Sequence, residues 1–215
     1  MIFQLIDKDY NIKDPWDAVT LFEKKLAEYG GSKYAVCVDS CSNALFLCLK
    51  YLKIQNQVIE IPRSTYASVP MQIIHAGNKI RFVDTEWEGA YEIGHTSIID
   101  AATRFRKNMY IENSYYCLSF HHRKVLKIGK GGAILTNNEN FVKWCRPMIY
   151  DGRHKEILHI NDEYSCIGYH MYMTPEEAAK GLLLFETLQD NNADVGSYRD
   201  YKDLSKQKVF EPYLG

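Results

Sequence analysis

The chain of 215 residues has almost no charge imbalance, because 26 lysine and arginine residues stand against 27 aspartate and glutamate residues. That balance excludes the basic stripe typical of nucleic-acid-binding proteins and the basic face that anionic membranes attract. No apolar run approaches the roughly 20 residues of a membrane-spanning helix. The opening stretch, MIFQLIDKDYNIKDPW, lacks the basic and apolar regions of a signal peptide. These absences favour a cytoplasmic protein whose partners are neither nucleic acid nor membrane.

Cysteine is present but unpatterned: the six cysteines form no CxxC pair and no regular framework, which argues against a disulfide scaffold. A zinc site made by Cys117 with His121 or His122 would lack a second ligand pair, so we expect no metal site. With 46% hydrophobic residues the chain can bury a sizeable core. It has no repeat and no Gly/Ser/Pro-rich linker, and we predict a single domain over residues 1–215.

Short apolar segments alternate with helical patterns along the chain. The predicted strands are KYAVCV, VIEIP, KIRFVD, SIIDAA, YYCLSF and GGAILT. Helices are predicted from Asp14-Pro15 to Gly30-Gly31 and in NALFLCLKYL, ASVPMQIIHAG, NENFVKWC, PEEAAKGLLLFETL and SYRDYKDLSK. The alternation predicts an α/β fold, an α/β/α sandwich with a mostly parallel sheet.

Polar side chains follow several of these strands at the point where each strand ends. In open α/β sheets, ligands bind at the carboxyl ends of the strands, beside helix N-termini. The turn 39–42 follows KYAVCV, and its backbone N–H groups are placed to take a phosphate. Tyr66 follows VIEIP, and Asp100 ends an apolar run. Ser119 ends YYCLSF, and Lys124 comes five residues later.

Each of these residues also has an ordinary structural interpretation. Ser42 is equally well a helix N-cap, and Tyr66 is one of 16 tyrosines, most of which would be core residues. Lys124 lies in the basic segment HHRKVLKIGK, and such segments are usually solvated. Together, however, the residues supply what a pyridoxal-phosphate site requires: an amine, a carboxylate for the pyridine nitrogen, an aromatic ring and a phosphate cradle.

Five blocks of the sequence resemble, in the same order, those of sugar aminotransferases of the DegT/DnrJ/EryC1/StrS family, which are fold-type I pyridoxal-phosphate enzymes. The blocks are FEKKLAEYGGSKYAVCVDSCSNALFLCL, IPRSTYASVPMQIIHAGNKIRFVDTE, IIDAA, SFHHRKVLKIGKGGAILTN and GYHMYMTPEEAAKGLLLFETL. They cover most of residues 20–205. The resemblance implies the large domain of such an enzyme, with the small C-terminal domain largely absent.

The resemblance also implies a role for each candidate residue. Lys124 matches the family's Schiff-base lysine, which would hold pyridoxal 5′-phosphate as an internal aldimine and then act as general acid and base. Asp100 would contact the pyridine nitrogen, and Tyr66 would stack on the ring. The remaining cofactor contacts would come from Cys41, Ser42, Thr103, Ser119 and His170.

The implied reaction transfers an amino group, from glutamate as the usual donor, to a keto sugar carried on a nucleoside diphosphate. In the family an asparagine at the position of His170 reaches the cofactor phosphate of the neighbouring subunit. The resemblance therefore implies a homodimer with the active site near the subunit interface. Family members that dehydrate sugars have histidine in place of the lysine, so Lys124 argues against that branch.

Several positions depart from the family pattern. Cys41 replaces the glycine of an SGT turn, which would cost about 1 kcal/mol if this residue has positive φ. Thr103 replaces a longer histidine or glutamine. Only 15 residues separate Asp84 from Asp100, where the family has a further strand and helix. We therefore expect a site that is unusually open or that a partner subunit completes.

Two other interpretations stay open at this point. A non-catalytic relative, acting as a cofactor-binding or structural subunit, is favoured by the same departures. A Rossmann-like nucleotide-binding module without pyridoxal phosphate fits less well, because no GxGxxG or GxxxxGK[ST] motif follows a predicted strand.

Overall fold

The computed structural model describes residues 12–215 of the chain. Within this part, no helix has the length and apolar character needed to cross a bilayer. The helices and strands follow one another as α1 (Asp17–Gly30), β1 (Tyr34–Val38), α2 (Cys41–Tyr51), β2 (Val58–Pro62), α3 (Ser68–His75), β3 (Lys79–Val83), β4 (Tyr91–Glu92), β5 (Ile98–Asp100), β6 (Tyr115–Ser119), β7 (Gly132–Thr136), α4 (Glu139–Met148) and α5 (Pro175–Phe185).

Helix α1 starts later than predicted and ends where predicted. Asp14 forms a turn before the helix, in which its Oδ1 accepts a hydrogen bond from the N–H of Trp16 at 2.8 Å. At the other end Gly31 has a φ of 84° and donates its N–H to the carbonyl of Ala27. This left-handed glycine stops the helix at the glycine pair that the sequence indicated.

The main sheet has five strands in the order β1-β7-β6-β5-β4, and β2 pairs with β3 in a separate parallel sheet. The predicted α/β fold is confirmed, but the prediction of a mostly parallel sheet is wrong, since within the main sheet only β5 and β6 run parallel. A parallel neighbour needs a crossover of about a dozen or more residues, usually with a helix. The link between β4 and β5, residues 93–97, is too short for a crossover, so β4 runs antiparallel to β5.

Helices cover both faces of the main sheet. Helices α2, α3 and α4 contribute to one core, and α1 and α5 contribute to the other. Residues of β1 alternate between the two: Val36 and Val38 belong to the first core, Ala35 and Cys37 to the second. This alternation places the end of β1 between two helical layers, as the predicted sandwich requires.

The predicted SYRDYKDLSK helix does not form, and only two 3₁₀ turns, Tyr198–Asp200 and Leu204–Lys206, occur there. The N–H of Tyr198 donates to the carbonyl of Trp87, and that of Leu204 donates to the carbonyl of Arg63. Backbone groups bonded to other parts of the fold are not available for a helical ladder. We call residues 194–215 the C-terminal strap, because they run along the segments that follow β2, β3 and β5.

Candidate active site

A cavity of about 290 Å³ lies where β1, β5 and β6 end, beside the first turn of α2. Side chains from strands far apart in the sequence meet here because the strand ends share one edge of the fold. Ala102, Ser68 and Tyr201, which the sequence did not single out, also line the cavity. The predicted site residues on its wall are Cys41, Ser42, Tyr66, Asp100, Ser119 and Lys124.

Lys124 follows β6 in a tight turn, in which its N–H donates to the carbonyl of His121 at 2.9 Å. Its side chain is half-buried and forms no hydrogen bond or ion pair with the described residues 12–215. Burial lowers the pKa of the Lys124 ammonium, and the negative charge of Asp100 acts in the opposite direction. A lowered pKa increases the neutral fraction of the amine, which is the form that acts as a nucleophile.

The other basic residues of this segment have different surroundings. Lys127 is exposed and does not line the cavity, whereas Arg123 and Lys130 are exposed at its rim. The Nζ of Lys130 lies 3.9 Å from a carboxylate oxygen of Asp39. Among the three lysines of residues 119–137, only Lys124 is both partly buried and unpaired on the cavity wall.

Asp100 is only 5% exposed, and its carboxylate is held by two short hydrogen bonds. Oδ1 accepts from the N–H of Ala102 at 3.0 Å, and Oδ2 accepts from the hydroxyl of Tyr91 at 2.8 Å. Burial raises the pKa of Asp100 above its ordinary value, although both hydrogen bonds and the charge of Lys124 oppose this shift. No basic side chain of residues 12–215 forms an ion pair with Asp100. A protonated pyridine nitrogen would supply the missing counter-charge.

Tyr91 was missed by the sequence reasoning, because a lone tyrosine in a link of no clear pattern gives no signal. Burial and the neighbouring Asp100 raise the pKa of the Tyr91 phenol well above its ordinary value, so it stays protonated and donates. Its oxygen is also hydrogen-bonded to the hydroxyl of Thr65, which is buried. Since the phenol proton goes to Asp100, the Thr65 hydroxyl is the donor in that contact.

The start of α2 forms a cradle suited to a phosphate. Ser40 caps the helix, with its hydroxyl accepting from the N–H of Asn43 at 3.2 Å. Cys41 and Ser42 line the cavity in the first turn, where backbone N–H groups have no intrahelical acceptor. The hydroxyls of Ser42 and Ser68 lie 2.6 Å apart on the same wall. Free N–H groups and hydroxyls at a helix N-terminus are typical anion ligands.

Cys41 occupies the position of the family's turn glycine without strain. It is the first residue of α2 and is not among the described residues with positive φ, so the conformational cost considered for it does not arise. Glycine is required at Gly132 instead. A Cβ there would lie 2.5 Å from the backbone nitrogen of Cys41 and 2.7 Å from the carbonyl oxygen of Leu118. The bare backbone of Gly132 lets β7 approach the start of α2.

Two tyrosine rings meet edge to face at the cavity. Tyr66 is 60% exposed, and its ring centroid lies 6.4 Å from that of Tyr201, at an interplanar angle of 76°. Tyr201 belongs to the C-terminal strap, which has no residue in the predicted constellation. The strap therefore closes part of a cavity that the sequence predicted to be either unusually open or completed by a partner subunit.

Thr103 and His170, both predicted to contact the cofactor, lie outside the cavity. Thr103 is buried, and its hydroxyl lies 2.9 Å from the carbonyl of Gly89 and 3.1 Å from that of Gly196, to which it donates. It joins two loops instead of facing a ligand, which corrects the prediction made for it. His170 is exposed, with Nδ1 2.8 Å from Asp151. Its contact with a neighbouring subunit stays a prediction.

A model of the DegT/DnrJ/EryC1/StrS aminotransferase family matches residues 6–112 and 110–197. These ranges take in most of the chain and every predicted site residue. The chain belongs to this family. The family is pyridoxal-phosphate-dependent, and the free amine of Lys124, the uncompensated carboxylate of Asp100 and the cradle at α2 fit that cofactor.

Curated relatives of the chain include enzymes of amino-sugar metabolism. A UDP-4-amino-4,6-dideoxy-N-acetyl-beta-L-altrosamine transaminase from Campylobacter jejuni is 23% identical over 89% of this chain and 63% of the relative. The spore coat polysaccharide biosynthesis protein SpsC from Bacillus subtilis is 27% identical over 80% of this chain and 57% of the relative. The chain thus spans about 60% of the length of the curated relatives that it matches.

Solved structures show the same fold over a similar part of their length. DesV from S. venezuelae, in complex with a ketimine intermediate, has a TM-score of 0.67 at 18% identity, covering 86% of this chain and 60% of DesV. The sugar aminotransferase Spr1654 from Streptococcus pneumoniae, in its PMP form, has a TM-score of 0.65 at 18% identity, covering 79% of this chain and 58% of Spr1654. The fold is therefore that of the fold-type I aminotransferases.

Proposed function

We propose that this chain binds pyridoxal phosphate and transfers an amino group from an amino acid, glutamate, to a keto sugar carried on a nucleoside diphosphate. The observation that carries the proposal is the pairing of Lys124, a half-buried amine without a partner, with the buried carboxylate of Asp100 in one cavity. The printed name of the Campylobacter jejuni relative, a transaminase of a UDP-linked amino sugar, supports the class of substrate.

Each residue of the site would have a distinct task. When bound, pyridoxal phosphate supplies an aldehyde and an electron-withdrawing ring. Lys124 would hold the cofactor at its aldehyde group, and its Nζ, as the neutral amine, would take and return the proton of the donor's α-carbon. Asp100 would keep the ring nitrogen protonated, and Tyr66 would cover the ring. Ser42 and the N–H groups of α2 would hold the phosphate.

We also propose that the chain works as a homodimer. The segment 157–167 exposes two isoleucines almost completely, Ile160 at 90% and Ile167 at 95%. Exposed apolar residues grouped in this way are typical of a protein interface. The segment leads directly to His170, the residue that the family resemblance assigns to a neighbouring subunit's site, so a second copy of the chain is the partner that fits.

A second candidate function, that of a non-catalytic cofactor-binding subunit, is favoured by the position of Thr103 outside the cavity. The two proposals differ in one respect: only the enzyme would convert bound cofactor when an amino donor is added.

The test is the absorbance spectrum of the protein with pyridoxal phosphate, before and after glutamate. We expect a band near about 420 nm that Lys124→Ala abolishes, and a shift to shorter wavelength with glutamate. Lys130→Ala is the matched control, because it removes the same charge from the cavity rim and should retain the band. If Lys124→Ala keeps the wild-type spectrum, the proposal fails. A band that glutamate does not shift supports the non-catalytic subunit.

A further inference from the structure

The C-terminal strap places a tyrosine ring on the wall of the candidate site. Tyr201 is half-buried and lines the same cavity as Lys124 and Asp100. Its ring centroid lies 5.7 Å from that of Trp87, with an interplanar angle of 33°, so the two rings pack against each other at a tilt. Burial and the charge of Asp100 raise the pKa of Tyr201 to about 12, so the phenol is protonated at neutral pH.

The strap is fastened on both sides of Tyr201, so the ring does not lie on a loose end. Upstream, the carboxylate of Asp194 accepts a hydrogen bond from Arg104 at 2.6 Å and forms an ion pair with Arg106 at 3.0 Å, and its side chain is only 4% exposed. Downstream, Leu204 is buried and its N–H donates to the carbonyl of Arg63 at 2.8 Å. A ring held between two such anchors is preorganised for a ligand in the cavity.

The size of the cavity limits where a ligand can lie. At about 290 Å³ it is at the small end of ligand pockets, which range over roughly 300–1,000 Å³. In so small a space, a whole pyridoxal phosphate with its nitrogen at Asp100 and its aldehyde at Lys124 would lie against several walls. Among residues 12–215, Tyr66 and Tyr201 are the tyrosines that line the cavity, so both rings would lie beside the cofactor.

We infer that Tyr201 is a binding residue for pyridoxal phosphate, with its ring forming one wall of the cofactor site. The inference rests on the proposed cofactor site and adds a residue that the family does not assign, since the family match ends at residue 197. It also gives the C-terminal strap a function. The strap supplies, from this chain itself, a wall for the ligand cavity.

The test is a calorimetric titration of the full chain with pyridoxamine 5′-phosphate, which binds without forming a Schiff base. We expect Tyr201→Ala to raise the Kd at least about tenfold, as loss of an aromatic ring from a stacking site does. Tyr201→Phe keeps the ring and should stay within about threefold of wild type. Tyr198→Ala is the matched control. It lies in the same strap, but its hydroxyl donates to Glu86 and it does not line the cavity, so its Kd should not change.

Each outcome decides the inference. Equal binding by wild type and Tyr201→Ala overturns it while leaving the proposed function intact. Tighter binding by Tyr201→Ala also overturns it, because the ring would then obstruct the cavity. If wild type binds no pyridoxamine phosphate, the proposed function and this inference both fail. Should Tyr201→Ala not fold, as judged by circular dichroism, Tyr201→Leu keeps apolar cover on Trp87 and should show the same tenfold loss.

Discussion

The hydroxyl of Tyr91 donates to Oδ2 of Asp100 at 2.8 Å, and Thr65 in turn donates to the oxygen of Tyr91. The phenol comes from β4, a strand of two residues in the link between β3 and β5. A donor directed at a buried carboxylate favours its charged form. This link therefore provides a hydrogen bond that partly offsets the burial of Asp100.

Tyr91→Phe should move the acid limit of cofactor binding to higher pH. The substitution removes a hydrogen bond that lowers the pKa of Asp100, so that pKa rises further above its ordinary value. As the pH falls, the carboxylate then loses its charge earlier, and with it the contact to a protonated ring nitrogen. The Kd for pyridoxamine phosphate, measured between pH 5 and 8, checks this. Tyr198→Phe is the control. Coincident pH profiles for wild type and Tyr91→Phe would contradict the conclusion that the hydrogen bond from Tyr91 lowers the pKa of Asp100.

Asp100→Asn should stabilise the cofactor-free protein at neutral pH. Folding raises the pKa of Asp100. Its favourable contribution to the free energy of unfolding is therefore present below the pKa of the unfolded state, and it is lost as the pH rises through the pKa of the folded state. Removing the charge should raise the free energy of unfolding at pH 7 by roughly 0.5–2 kcal/mol. The gain should vanish near pH 4, at about the ordinary carboxyl pKa.

Urea denaturation across this pH range measures the effect of Asp100→Asn. Asp203→Asn provides a comparison of opposite sign, because hydrogen bonds from Ser205 lower the pKa of Asp203, and its loss should destabilise the protein at neutral pH. If Asp100→Asn were less stable than wild type at pH 7, the prediction would be wrong, because the charge of Asp100 would then stabilise the folded protein.

Arg146→Met should destabilise the fold strongly. Arg146 donates two hydrogen bonds to Glu23, at 3.0 and 2.6 Å, and Glu23 also accepts from the N–H of Cys37. Because Glu23 is only 5% exposed, removing the guanidinium leaves a buried carboxylate without its counter-ion. We expect a loss of about 3–5 kcal/mol in urea denaturation. The double variant with Glu23→Met should recover much of it, and a double variant as unstable as the single one would refute the coupling.

Replacing Ile160 and Ile167 together by lysine should give a monomer. A lysine ammonium group buried in an apolar interface loses its water and gains no counter-ion. That cost in free energy exceeds what burial of the surrounding apolar surface contributes to association. Light scattering after size-exclusion chromatography measures the mass, and Ile111→Lys is the control, since Ile111 is 55% exposed outside the segment. A wild-type monomer, or a double variant that stays dimeric, would rule out this segment as the interface.

The apolar pattern of the sequence predicts the fold class but not the directions of the strands. Alternation of apolar segments correctly predicts that the chain forms an α/β fold, because side-chain burial on both sheet faces sets that pattern. It does not reveal the direction of β7, and the direction of β4 follows only once the short link 93–97 is known to join two paired strands. The strap likewise has a helical composition, but its N–H groups find acceptors at Trp87 and Arg63 instead.

By itself, the sequence determined which side chains stand at the strand ends: Lys124, Asp100 and the turn that begins α2. Each of these residues follows a short apolar segment, so local pattern alone puts it at the end of a strand. Only the tertiary structure decided that these strand ends meet at one cavity, that Tyr91 donates to Asp100, and that Tyr201 lines the cavity whereas Thr103 does not. Their positions depend on hydrogen bonds and ring contacts between segments far apart in the chain, and such contacts leave no periodic trace in the sequence.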